Sequence, residues 1–164
     1  MVNDAITQAE TVTTPQHCDR LQRLFSRPFF LSLTIGIPFC AFKLIFGLSA
    51  LRSGTVPLTI FGWSVIAWAL ADLAMNIGRS VYDLAGWAAP FEYCTIAQVG
   101  RALGRPTVFL ALDTLLSFTI ICVMLWSGWI AQLPAGEAYI WYGATTLNLI
   151  SLSVVSLYNE LRRE

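Results

Sequence analysis

The chain has 164 residues, of which 56% are hydrophobic and 12% charged, and its ten basic and ten acidic residues cancel to a formal net charge of zero. Ordinary soluble domains carry about 25% charged and 45–50% apolar residues, so this composition points away from a water-soluble fold. Neutrality gives no electrostatic footprint for nucleic acid, and the length suits one domain that four bilayer-length runs would nearly fill.

In chain order, residues 1–28 begin as a polar tail without the basic and apolar regions of a secretory signal. Towards its end, Leu21, Leu24 and Phe25 share a face while Arg20, Arg23 and Arg27 supply positive charge. Two expectations stand for that segment: a short interfacial helix against anionic headgroups, or a basic flank that only orients the next helix.

The first expected span covers about 29–51, with a kink at Pro38, which lacks a backbone donor. Ser32, Gly36, Cys40, Lys43 and Gly47 fall at steps of four, four, three and four, one stripe of small or polar residues. Such stripes let helix backbones approach closely in lipid, which turns Lys43 towards other helices. A short turn over 52–57 leads to the second span, about 58–77. It carries a further stripe, Ala67, Ala71, Ala74 and Gly78, expected to face a packed interior, with Asp72 and Asn76 one turn apart.

The connection over 78–105 is the longest. Tyr93, Ile96, Val99 and Leu103 fit one helical face, with Gln98, Arg101 and Arg105 opposite. An amphipathic cytoplasmic helix on the membrane surface is expected there, with Trp87, Phe91 and Tyr93 at headgroup level. The third span, about 107–131, contains one charge, Asp113, and an acid in such a run marks an inward face. The fourth, about 138–158, places Ala144, Asn148, Ser151 and Val155 on one side. The fold class is therefore all-α: an integral membrane four-transmembrane-helix bundle over 29–161, with a loop helix between its second and third spans.

Basic residues cluster before the first span, between the second and third, and after the fourth, while Arg52 alone lies in the other two loops. The positive-inside bias then puts both termini and the long loop in the cytoplasm of an inner or internal membrane. Trp126, Trp129, Tyr139, Trp141 and Tyr142 form the expected belt at the opposite surface.

No cofactor is expected. The single histidine, His17, lies outside every span, which removes bis-histidine haem and histidine-ligated metal. Cys18, Cys40, Cys94 and Cys122 form no C-x-x-C pair and read as small apolar side chains. There is no phosphate-binding glycine loop, no H-E-x-x-H and no nucleophile–base pair, so the chain does not read as an enzyme.

Counting along the helices at about 1.5 Å per residue puts Asp72 and Asp113 some 8–9 Å on the cytoplasmic side of the midplane, and Lys43 about 6 Å beyond it. Two acids at one depth can share a proton, bind a cation with Asn76, Asn148 and Ser117 as further oxygen ligands, or pair with a basic group. Three roles follow: a proton- or cation-linked site, hydrogen bonding that only holds the bundle together, or pairing with a charge on a partner. The leading expectation is an accessory or assembly subunit of a larger membrane complex, embedded in the lipid bilayer and bound to another membrane protein or to itself. The alternative is a small oligomeric transporter or channel using Asp72 and Asp113.

Overall fold

The computed structural model describes Phe30 and residues 32–161, so the tail and its expected interfacial helix lie outside the described residues. A π-helical turn, Ser32–Gly36, leads into α1, Ile37–Arg52; then come α2, Val56–Leu84, and the short α3, Thr95–Ala102. α4 is Pro106–Trp126, a 3-10 turn spans Trp129–Gln132, and α5 is Ala135–Leu161; among the described residues there is no strand. Four helical stretches are long and apolar enough to cross a membrane.

Pro38 does not break the first helix. Its missing N–H deprives the Thr34 carbonyl of an α-helical donor, and the chain answers with the π-helical turn immediately before it. At the other end Pro57 occupies the first turn of α2, where the absent N–H costs nothing. α2 continues seven residues past the boundary expected at 77, carrying Arg79 and Asp83 on helix rather than loop. The connection is thus shorter than the sequence suggested. Gly128, at φ 72°, stops α4 at Trp126, five residues before the expected end, because only glycine takes that conformation without strain.

α1 is the centre of the molecule: α2, α4 and α5 all pack on it. Of its most apolar window, 56% is buried, against 17–22% in the other three. Phe39, Phe42 and Phe46 share one face, with Ile45 beside it, and all four are buried. α1 and α2 cross most closely where two glycines face each other: a Cβ on Gly62 would lie 2.8 Å from the Gly47 carbonyl oxygen. That contact fulfils the first small-residue stripe. The second behaves otherwise, since Ala67, Ala71 and Ala74 are exposed on the outer side of α2 and are not covered by the other described residues. The two stripes have similar composition, and only one of them is turned to α1.

Two members of the expected aromatic belt also lie inside. Trp141 is buried with its ring 4.8 Å from that of Phe42, and Trp129 stacks on Phe46 at 5.8 Å. Trp126, Tyr139 and Tyr142 remain exposed. Arg52, the isolated base of the first hairpin, is held by both carboxylate oxygens of Glu137 at the start of α5.

Candidate functional site

The stripe on α1 carries Lys43 into the bundle, and α2 and α4 bring an acid each to meet it. Lys43 Nζ donates to Asp72 Oδ2 at 2.7 Å and to Asp113 Oδ1 at 2.6 Å. All three side chains are buried, with Lys43 1% and Asp72 0% exposed. The ammonium also sits 4.0 Å from the centre of the Trp68 ring, whose π face favours a cation.

The expected mismatch in depth, about 14–15 Å at 1.5 Å per residue, closes partly because α2 runs on to Leu84 and so moves Asp72 towards its centre, and partly through side-chain direction. Cα–Cβ bonds tilt towards a helix's N-terminus, and the hairpin makes α1 and α2 antiparallel. Lys43 therefore leans towards the α3 end on its four-carbon stem, while Asp72 leans back to meet it.

α3 completes the arrangement. Thr95 donates its backbone N–H at 2.7 Å and its hydroxyl at 2.8 Å to Asp72 Oδ1. Cys94, the N-cap of α3, accepts from Ala97 N at 3.4 Å and is buried. Burial first, and then the nearby Asp113 carboxylate, push the Cys94 thiol up to about 12. The helix is pressed on α4 at Gly100, where any Cβ would collide with Phe109. Its inward face is the small-residue side, Cys94, Ala97 and Gly100; Val99 and Leu103 of the expected apolar face point outward.

The segment between α2 and α3 is pinned by arginines. Arg79 donates to the Phe91 carbonyl at 2.7 Å and to Glu92 at 3.1 Å, and lies over the Tyr93 ring; Arg101 donates to the Pro90 carbonyl at 2.7 Å. The connection is an ordered lid over the charged end of the bundle.

The remaining sequence candidates separate. Asn76 lies one turn beyond Asp72, donates to the Asp72 carbonyl at 3.0 Å and accepts from Ser32 at 2.9 Å. Ser117 is buried, but its hydroxyl bonds its own helix at the Asp113 carbonyl, 2.9 Å away. Asn148 is buried on α5 with no partner for Oδ1 among the described residues, and it does not line the cavity beside the charges. Asn148 and Ser117 are thus not placed to join Asp72 and Asp113 as oxygen ligands. Thr95, Cys94 and Trp68 were not anticipated. Thr95 and Gln98 have the spacing of a capping box, but Cys94 is the N-cap, and nothing in the sequence says that this helix start would hold a buried acid.

That cavity measures about 410 Å³. Lys43, Asp72 and Asp113 are among its lining residues, with Phe39, Phe118 and Leu152 among the apolar ones. Among the described residues no group of three or more His, Cys, Asp or Glu side chains could hold a metal ion. Chemically the site is a buried ion cluster with an apolar chamber beside it. No family model, curated protein or solved structure matches the chain.

Proposed function

We propose that the chain is a multi-pass membrane protein, with its termini and α3 on the cytoplasmic side, and that it works by packing against another membrane protein or a second copy of itself. In that role it is an accessory or assembly subunit rather than an enzyme. The observation that carries this reading is the outward turn of the Ala67, Ala71 and Ala74 side of α2, flanked by exposed Trp63 and Ile77. Small residues on a lipid-facing side leave a shallow groove where another helix gains close van der Waals contact. Inside the bundle, Lys43 pairs with both Asp72 and Asp113.

The orientation rests on the arginine distribution, in which Arg52 alone lies at the other end of the bundle. Cysteines placed at exposed Thr55 and Ala88 would report it: an impermeant thiol reagent should label the first from outside intact cells and the second only in inverted vesicles. The reverse pattern would overturn the topology.

The partner reading is tested with a photo-crosslinking residue at Ala71, and at Ile150 on α5 as control, in native membranes. A protein adduct at Ala71 alone is expected; lipid adducts alone at both positions would refute the reading. The rival, proton- or cation-linked transport, has the cavity beside Asp113 in its favour. It predicts that Asp72→Asn and Asp113→Asn each abolish ion-coupled uptake into proteoliposomes, with no further loss in the double variant. Uptake unchanged in both single variants removes it.

A further inference from the structure

The cluster in the bundle contains one positive and two negative side chains, a formal imbalance of one negative charge in an enclosed region. An unbalanced buried charge is costly, so a neighbouring positive group is stabilised there. The two acids are not equally occupied. Asp72 uses Oδ2 for Lys43 and Oδ1 for two donors of Thr95. Asp113 gives Oδ1 to Lys43, although a carboxylate can accept about four hydrogen bonds. Asp113 is therefore the acid with acceptor capacity left, and it borders the cavity of about 410 Å³.

The rest of the cavity limits what the positive group can be. A hard metal ion needs six or more oxygens. Beside the acids the lining offers Ser32, Asn76, Tyr93 and Thr114, but Ser32 and Asn76 bond each other, and Phe39, Phe118, Leu110 and Leu152 are apolar. The Phe39 and Phe118 rings meet edge-on at 5.6 Å, offering π faces to a cation and apolar surface to whatever carries it. The volume falls in the lower part of the range for small-molecule sites, enough for a single alkyl chain or a small ring system. Access is from the side, where Leu110, Phe118 and Leu152 are each partly exposed, at 39%, 40% and 39%, and α4 and α5 separate.

We propose that this cavity binds a small lipophilic amine as its ammonium ion, the N–H groups donating to Asp113 and the apolar body lying against Phe39 and Phe118. This goes beyond the partner-binding reading and rests on the membrane assignment only for the route of entry.

The test is native mass spectrometry of the full chain in phosphatidylcholine nanodiscs with decylammonium, beside decanol of equal chain length. One decylammonium per chain should be retained at concentrations where decanol is not. Asp113→Asn should weaken retention by about tenfold or more, the scale of a lost charge-assisted hydrogen bond. Leu110→Trp, which fills the cavity entrance and leaves the charges intact, should abolish it, and this arm decides alone if the Asp113 variant does not fold. A second series with phosphatidylethanolamine separates two sources of the same chemistry: displacement of the probe assigns the ammonium to a lipid headgroup, and no displacement assigns it to a free amine. Equal retention of decanol, or retention unchanged by Leu110→Trp, would mean simple partitioning into nanodisc lipid and would overturn the proposal.

Discussion

α1 is buried in two different ways along its length. Towards Arg52 its neighbours are rings and aliphatic chains: Phe42 against Trp141, Phe46 against Trp129 and Phe61, and the enclosed Met124. Towards Ser32 the neighbours are charges and hydrogen bonds, and a cavity remains. In a bilayer these halves are not equivalent. Lipid tails offer an apolar ring nearly the same surroundings as the protein does, leaving only the quality of fit to favour packing. A carboxylate or ammonium finds no substitute there. The polar half therefore selects one arrangement of helices, and the aromatic half tightens it.

The sharpest way to break that comparison is Lys43→Met. Two carboxylates then lose their counter-ion, and a loss of about 3–5 kcal/mol is expected in unfolding from mixed micelles. A loss under about 1 kcal/mol would show that the acids are neutralised without the lysine. Combining Lys43→Met with Asp72→Asn and Asp113→Asn should restore most of the stability, since no orphaned charge remains.

The matching change in the other half is Phe42→Ala. Large-to-small changes of this kind cost about 3–5 kcal/mol in soluble cores. Here, with lipid as the alternative environment, about 2 kcal/mol is expected by the same assay. If Phe42→Ala proves more damaging than Lys43→Met, the ranking of the two halves is reversed.

Thr95→Val removes one donor from Asp72 and leaves the backbone N–H, for an expected loss of about 1 kcal/mol, with Thr95→Ser close to the parent. If serine fails to rescue, the hydroxyl is not what matters. A kinetic counterpart lies next door. With its thiol raised to about 12 by burial and the Asp113 charge, Cys94 stays protonated at pH 8 and should label slowly with maleimide in a chain whose only cysteine it is. Gly100→Leu, which must displace Phe109, should speed that labelling; equal rates would mean that α3 is not docked as described.

The smallest effect belongs to Ala71→Leu. Its side chain points away from the bundle, so stability in detergent should stay within about 0.5 kcal/mol of the parent while recovery of a partner falls. A clear loss of stability would put Ala71 inside the bundle after all.

The four long apolar helices were legible because length and hydropathy are properties of the runs themselves. Which of them is central was not: α1 is apolar nearly all round, so its sequence marks no single inward face, and it reads like its neighbours. Arg79 and Asp83 suggested a loop, since charge ends a hydropathy window, but a helix may continue past an apolar boundary without breaking its hydrogen bonds. Lys43, Asp72 and Asp113 stood out because charge is rare in apolar runs. Their pairing did not, because depth counted along a backbone ignores where a long side chain leans. Thr95 and Cys94 carried no signal, since polar and small residues are ordinary in a connection.

The ion cluster also bears on how the chain enters a membrane. Asp, Lys or Arg at a helix centre adds about 2.5–3.5 kcal/mol to the insertion of a lone segment. α1 would carry that penalty with Lys43 exposed, but the short turn through Gly54 lets α2 deliver Asp72 at once. The two are thus suited to insert as one ion-paired hairpin, with Asp113 arriving later to complete the set. A glycosylation-site reporter on truncated chains should show α1 inserting less completely alone than with α2, and Asp72→Ala should remove that advantage. Equal insertion in all three would mean that each helix enters independently.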